Sequence, residues 1–584
     1  MKRIIVRILA VIGALVVLVI AIGLTAAAVR KGYVPARTIV ELNLETGMVE
    51  DVPDDPLAKA VMAKTPVVRD VVDALDRAAD DNRVAGLVAY LGSSTLQMGT
   101  IQEIRDAVMR FRAKKKFAVA YSDSFGGDQG PGTGPYYLAT AFDEIYLQPS
   151  GNVDLTGIII ESPFVKGTLD KLGMRFRGDH RYEYKTALNT LTETKYTPAH
   201  REANEKLLNS WYEQVVRGIS QARHIPEDQV RTLVDRGPFS AKEAQDAKLV
   251  NGLKYRDEIY DMVKKRAGNG ELLYASKYLE RAGAPHRKGK VIALVYGVGA
   301  VARGKSGYDA LSNTITMGGE TVAGAIRAAA QDKEVKAILF RVDSPGGSYV
   351  ASDTIWREVV RARQQGKPVI ISMGDVAGSG GYFVSMGADK IVAQPGTITG
   401  SIGVLTGKLL TSGLWNKLGL SWDEVHAGAN ATMFTGTHDF SRAEWERLQN
   451  ALDRIYVDFT TKAAEGRKMP KDKLLPIAKG RIWTGEDAKA LGLVDELGGF
   501  STALALAKKA ADIPESEDVN LKLYPRRKSP LEALLGRGAD NSEKEATALL
   551  TRTLEMIQPL ARKLQVLSGV TPGVLSMPQY EVVH

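Results

Sequence analysis

Two segments far apart in this chain carry the residue types of one nucleophile–base pair. The first is Gly374-Asp375-Val376-Ala377-Gly378-Ser379-Gly380-Gly381-Tyr382, a serine set among glycines. The second is Tyr182-Glu183-Tyr184-Lys185-Thr186-Ala187. A serine hydroxyl is a poor nucleophile at neutral pH and needs a base within hydrogen-bond reach. Lysine is such a base only when neutral, which takes burial or a neighbouring cation to lower its pKa from about 10.4. Together the two would attack a carbonyl carbon, the chemistry of a peptidase. Histidine is the alternative base. The chain has seven, none within forty residues of Ser379. His426 and His438 are the nearest downstream candidates for a Ser-His-Asp arrangement, since triads assemble in space.

Acyl transfer also needs N–H donors aimed at the developing oxyanion. Ser379 precedes Gly380-Gly381 at an expected helix start, where its own N–H and those after it would point outward and the helix dipole favours negative charge. Ser344-Pro345-Gly346-Gly347-Ser348 is a second source of donors, and glycine lets a carbonyl come close. Taken singly, Gly-Ser-Gly-Gly is most often a turn, and Lys185 is one of 77 basic residues.

A repeat connects them. Ala141-Phe142-Asp143-Glu144-Ile145-Tyr146-Leu147-Gln148-Pro149 answers Gly387-Ala388-Asp389-Lys390-Ile391-Val392-Ala393-Gln394-Pro395 at an offset of 246. Leu155-Thr156-Gly157 answers Ile398-Thr399-Gly400 at 243, and Leu249-Val250-Asn251 answers Leu493-Val494-Asp495 at 244. Offsets so nearly constant over so long a span mean duplication, and a period this long means two domains rather than a solenoid. Thr133, between Gly132 and Gly134, stands where the second copy has Ser379; Ala431 stands where the first has Lys185. Thr95 and Leu96 face Gly346-Gly347. Each copy has kept a different half of one site.

The elements that must position these residues alternate short apolar strands with amphipathic helices. In the second copy the pattern predicts strands at 291–296, 337–342, 368–373 and 390–393, and helices at 320–330, 351–364 and 381–387; Val322, Ile326 and Ala329 share one helix face. This is the signature of βαβ units and a mostly parallel, buried sheet. Sites in such sheets form at the carboxyl ends of strands, where both the SPGG loop and the Ser379 loop fall. The fold class is α/β. Residues 37–290 form the repeat supplying the lysine and 291–525 the repeat supplying the serine. Residues 1–36 precede them, and a tail over 526–584 includes an expected helix from Glu543 to Leu567.

Composition, 44% hydrophobic and 25% charged, is that of an ordered globular chain too long for one core. Absence of cysteine excludes disulfides, a thiol nucleophile and thiolate metal sites. The net charge of +9 is solvated surface, with weak attraction to anionic lipid headgroups as its functional counterpart. No basic cluster is interleaved with aromatics, which sets nucleic acid aside, and no motif suggests a metal or organic cofactor. Ile8 to Val29 is an uncharged run of 22 residues, about 33 Å as a helix and enough to span a bilayer core. A cleaved secretory signal ending near Ala26-Ala27-Ala28 is the competing reading, but the apolar run exceeds a signal's usual ~7–15 residues. A retained anchor is expected, with the remaining mass on one side of the membrane.

The Ser379 loop, the SPGG loop, Thr399-Gly400-Ser401-Ile402-Gly403 and Tyr184-Lys185-Thr186-Ala187 resemble the long, tandem-domain form of the signal peptide peptidase A family. These are bacterial membrane-anchored serine proteases of the ClpP/crotonase superfamily. The likeness spans roughly residues 37 to 525, and one position departs from it: Gly378 stands where an alanine is expected. The resemblance implies two tandem ClpP/crotonase-like domains behind one transmembrane helix. It implies a Ser–Lys dyad with Ser379 as nucleophile, Lys185 as general base and Ser401 orienting the amine. Gly346 or Gly347, with Gly380, would supply the oxyanion hole. It further implies a homotetramer in the bacterial inner membrane, facing the periplasm, that degrades signal peptides and other unfolded or membrane-released peptides. Two rival readings remain. A coenzyme-A-dependent hydratase or isomerase shares the glycine oxyanion hole and would want an acid such as Asp343; a catalytically inactive membrane scaffold would not need Ser379 and Lys185.

Overall fold

The computed structural model describes residues 33–92, 96–127, 130–310, 312–526 and 574–576. The expected anchor at 8–29 and the tail helix at 543–567 lie outside those residues. Among the described residues no helix is long and apolar enough to cross a membrane.

Two mostly parallel sheets organise the chain, built to the same plan over six strands each. In the first, the strands Gly252–Leu253, Glu144–Leu147, Phe117–Ser122, Val84–Tyr90, Thr38–Asn43 and Leu272–Tyr274 lie in that order. In the second, Glu496–Leu497, Lys390–Ala393, Val369–Gly378, Val335–Ser344, Lys290–Val298 and Val519–Tyr524 occupy the corresponding places. The fastenings recur as well. Tyr136 donates its hydroxyl to Leu249 O at 2.8 Å, and Tyr382 donates to Leu493 O at 3.0 Å. Asp143 accepts from Arg112 Nε at 2.6 Å and Ala118 N at 2.8 Å; Asp389 accepts from Arg363 Nε at 2.8 Å and Val369 N at 2.9 Å.

The central strands are apolar on both faces because both are covered. Along Val335–Ser344, Ile338 and Phe340 pack on one side with Val322 and Ile326 of the helix Gly319–Gln331 and with Ile355 and Val359 of the helix Tyr349–Gln364. Alternating with them, Ala337 and Leu339 pack on the other side with Phe500, Ala503 and Leu504 of the helix Phe500–Ala510. Each large apolar side chain so buried stabilises the fold by roughly 1.5–3 kcal/mol.

The second copy departs from the sequence expectation in two ways that matter for the site. The strand expected to stop at Met373 continues to Gly378, where Val376, Ala377 and Gly378 pair with the strand Ile398–Gly400. The SPGG loop holds a short strand, Gly346–Ser348, paired with Ala300–Ala302 in a separate small sheet. Isolated glycine pairs do not read as strand, and main-chain pairing overrides that weak propensity here.

A third element ties the copies together. Arg175–Arg181 from the first copy pairs antiparallel with Val404–Leu410 from the second, from Val404 opposite Arg181 to Leu410 opposite Arg175. Lys185 lies four residues beyond one end of this ribbon, and Ser401 lies three residues before the same end.

Candidate active site

Ser379 sits between the strand Val369–Gly378 and the helix Gly380–Ser385, with φ +54° and ψ −113°. A non-glycine residue there is strained by about 1–3 kcal/mol, and such strain clusters at functional sites. It is held by the hydrogen bond from Ser379 N to Gly400 O at 2.8 Å. The expectation that this N–H points outward is therefore corrected: pairing to the neighbouring strand consumes it. The donors remaining beside the serine are those of the helix start and the SPGG strand. A Cβ built on Gly380 would come within 3.0 Å of Gly347 N and 3.1 Å of Gly346 Cα, so the three glycines lie against one another. The Gly346 N–H is engaged by Ser344 Oγ at 3.2 Å, and Gly347 pairs with Val301 along its strand edge.

Lys185 arrives from the other copy. The ribbon is clamped near its end by Arg181, whose Nε reaches Asp453 at 2.5 Å and whose Nη2 donates to Gln449 O at 3.0 Å. Tyr182 then packs on Tyr456, ring centroids 4.7 Å apart, and Lys185 N closes a turn on Tyr182 O at 3.1 Å. Gly480 forms the floor beneath Lys185. Its φ is +81°, and a Cβ there would lie 2.5 Å from Lys185 Cβ, so only glycine fits. The same loop fixes Ser401, whose N–H donates to Arg481 O at 2.7 Å, and Gly480 N donates to Ile402 O at 2.7 Å.

The three polar side chains converge. Lys185 Nζ lies 2.7 Å from Ser379 Oγ, 2.9 Å from Ser401 Oγ and 2.9 Å from Ser401 O. Ser379 is 0% exposed, and Lys185 and Ser401 are 1% exposed. Burial holds the Lys185 amine well below the ordinary lysine range, because desolvation disfavours the ammonium. The set can therefore do base-assisted nucleophilic chemistry at pH values where a surface lysine is fully protonated.

The histidine alternatives fall elsewhere. His438 and His426 are about half exposed and both face Glu424, at 2.7 Å and 3.5 Å. Asp343, the acid a hydratase reading would use, is half-buried at the end of its strand, where its Oδ1 accepts the Val376 N–H at 2.9 Å. In the first copy Thr133 is buried and its Oγ1 accepts the Gly157 N–H at 3.2 Å; Ala431 lies in an exposed loop. Thr95 lies outside the described residues.

Sequence reasoning missed a buried polar joint behind the site. Arg341, 2% exposed, bonds Glu50 at 2.5 Å and Glu103 at 2.8 Å, both from the first copy. Asp375, four residues before Ser379, accepts from Thr100 N at 2.7 Å and Thr100 Oγ1 at 2.6 Å. Burial raises the carboxyls of Asp343 and Asp375 above the usual range. An arginine inside an otherwise apolar strand, Leu339-Phe340-Arg341-Val342, was the available signal.

Comparison with known proteins places the chain. The model of peptidase family S49 matches the chain twice, over residues 111–269 and 361–514. Lys185 falls in the first stretch and Ser379 in the second. The chloroplastic serine protease SPPA of Arabidopsis thaliana is 32% identical over 470 residues, 79% of this chain and 68% of its own. Protease 4 of Salmonella typhi is 32% identical over 503 residues, 84% of this chain and 78% of its own. Protease 4 of Haemophilus influenzae is 31% identical over 465 residues, 75% of this chain and 72% of its own.

Proposed function

This chain is a serine protease belonging to peptidase family S49, and from that premise we propose that Ser379 is its nucleophile and Lys185 its general base. The observation that carries the reading is the 2.7 Å contact between Ser379 Oγ and a lysine amine that is 1% exposed. The neutral amine takes the Ser379 proton as Oγ bonds to the carbonyl carbon of the peptide. Negative charge passes to the carbonyl oxygen, where N–H groups of Gly380 and of Gly347 or Gly346 receive it. The lysine ammonium, held by Ser401 Oγ and Ser401 O, gives its proton to the departing amide nitrogen as the C–N bond breaks. A water molecule then loses a proton to Lys185 and attacks the acyl-serine. Collapse of the second intermediate breaks the C–Oγ bond and returns the proton to Oγ.

The two copies, 37–290 and 291–525, act as tandem ClpP/crotonase-like domains sharing one site. Substrates are extended peptides, a reading supported by the likeness to SPPA and Protease 4, both named as proteases; cleaved signal peptides and other unfolded or membrane-released segments are among them. The run Ile8–Val29 anchors the protein in the bacterial cytoplasmic membrane, with the catalytic mass in the periplasm and four copies per assembly. A fluorophosphonate probe tests the chemistry. Labelling of the parent, its loss in Ser379→Ala and a slowing of at least a hundredfold in Lys185→Ala are expected. Full labelling of Ser379→Ala would overturn the assignment.

A further inference from the structure

Arg481 is joined to both halves of the proposed site. It stands just before the strand Ile482–Thr484, which pairs antiparallel with Ile398–Gly400 so that Gly400 faces Ile482 and Thr399 faces Trp483. Its carbonyl accepts the Ser401 N–H at 2.7 Å, and its own N–H donates to Ala478 O at 2.9 Å. Its side chain reaches the first copy. The guanidinium carbon lies 4.6 Å from the centroid of the Tyr184 ring and 4.6 Å from that of Trp483. Nη2 pairs with Glu202 Oε1 at 2.9 Å, and Glu202 Oε2 accepts the Tyr184 hydroxyl at 2.7 Å. Tyr184 and Glu202 belong to the first copy and Trp483 to the second. One guanidinium therefore gathers groups from both copies at the residue next to Lys185.

We propose that Arg481 is a positioning residue for the dyad: its planar side chain pins Tyr184, and with it the turn that aims Lys185, against the loop that holds Ser401. The proposal rests on the reading of Ser379 and Lys185 as nucleophile and base. Exposure decides which contact does the pinning. The Glu202 side chain is 53% exposed, and an ion pair open to water contributes little. The neighbouring Lys479–Glu183 pair, also open to water, is no stronger a tie. The Arg481 side chain is only 15% exposed, and its Nε is buried without a hydrogen-bond partner among the described residues. A guanidinium so placed is held mainly by its two rings, through cation–π attraction and stacking. Trp483 is itself fixed, its Nε1 donating to Ile477 O at 2.9 Å. The contacts thus run from a fixed indole through Arg481 to Tyr184, the residue beside the base. Desolvation is what lowers the Lys185 amine, so what Arg481 supplies is place rather than charge.

The test is a double-mutant cycle in the full chain: Arg481→Met, Tyr184→Ala and both together, with Arg481→Lys and Tyr184→Phe beside them. With a quenched fluorogenic peptide, Arg481→Met and Tyr184→Ala should each lower kcat by about 10- to 100-fold, the cost of displacing a reacting group by about 1 Å. KM should stay within about twofold. Fluorophosphonate labelling of Ser379, which needs no bound peptide, should slow by the same factor. The double variant should be little slower than either single one, because residues that act through one contact are not additive. Arg481→Lys keeps the charge but not the plane and should stay at least tenfold slow. Tyr184→Phe keeps the ring and should lose no more than about threefold. Parent-like kcat in Arg481→Met or Arg481→Lys, or losses that multiply in the double variant, would overturn the proposal. So would a raised KM with kcat unchanged, which would make Arg481 a peptide contact. Should Arg481→Met fail to fold, the contrast at Tyr184 decides alone, and equal losses in Tyr184→Ala and Tyr184→Phe would overturn it. Parent-like labelling in Lys185→Ala would instead sink the dyad, a result the Arg481 variants cannot produce.

Discussion

At the residue scale the governing fact is an amine whose pKa burial lowers. Among the described residues Lys185 bonds no carboxylate, only the hydroxyls of Ser379 and Ser401 and a carbonyl. Its low pKa therefore comes from desolvation. Activity should rise with pH through that lowered value and level off above it, as a pH–rate profile of kcat/KM will read. Lys185→Arg should be as inactive as Lys185→Ala, falling about 100- to 10,000-fold, because a guanidinium stays protonated. The stability consequence has a definite sign. Between the lowered folded pKa and the unfolded value near 10.4, the unfolded chain binds the extra proton, so the lysine's contribution to stability improves as pH rises. Lys185→Met should then unfold at a higher temperature than the parent at pH 6.5, with the gap closing toward pH 10. The pairing of Ser379 with Lys185 was legible because serine among glycines and lysine in the opposite repeat are type-specific signals, and the two side chains meet at 2.7 Å. The hydrogen bond that consumes the Ser379 N–H was not, since it depends on Gly400 lying beside Gly378 in an extended pairing.

At the element scale the site depends on a ribbon that composition does not announce. Arg-Phe-Arg-Gly-Asp-His-Arg and Val-Leu-Thr-Gly-Lys-Leu-Leu mix polar and apolar residues without the unbroken apolar run that marked the sheet strands. The sheet strands were readable from hydrophobicity because their burial is local to each sheet. The ribbon forms only when the two copies meet, so no window of either copy contains its reason to exist. Gly480 is the test of this joint. A methyl group there would press on Lys185 Cβ at 2.5 Å and impose side-chain strain at φ +81°, a backbone cost of about 1–3 kcal/mol. Gly480→Ala should therefore move the amine away from Ser379 while leaving both sheets intact. The expected result is a fluorophosphonate reaction at least tenfold slower with an unchanged far-ultraviolet circular dichroism spectrum. Parent-like labelling would mean that Lys185 is not seated by this loop.

At the scale of the whole molecule, two copies of one fold share a single site only if they are rigidly registered. The joint that registers them is polar. Glu103 lies on the helix Met98–Ala113 of the first copy, where one oxygen meets Arg341 at 2.8 Å and the other accepts the Phe500 N–H at 2.9 Å. From the same helix Thr100 binds Asp375, and Gln102 accepts the Gly396 N–H at 2.6 Å. Trp211 donates to Gly396 O at 2.8 Å. The duplication itself was legible from offsets, but not which faces of the copies meet, because an interface between repeats leaves no periodic trace in either. Replacing Arg341 by an apolar residue of similar length would leave Glu50 and Glu103 buried without a cation. Breaking a buried pair from one side costs about 3–5 kcal/mol, whereas removing all its charges together costs far less. Arg341→Met should accordingly lower the urea midpoint and separate the unfolding of the two sheets into two steps. Adding Glu50→Gln and Glu103→Gln to it should recover most of the loss. Activity discriminates a joint from mere ballast. Arg341→Met should weaken fluorophosphonate reactivity at Ser379, although Arg341 touches neither Ser379 nor Lys185, and the triple variant should restore it in step with the midpoint. A parent-like rate in Arg341→Met would show that the copies hold their register without this arginine.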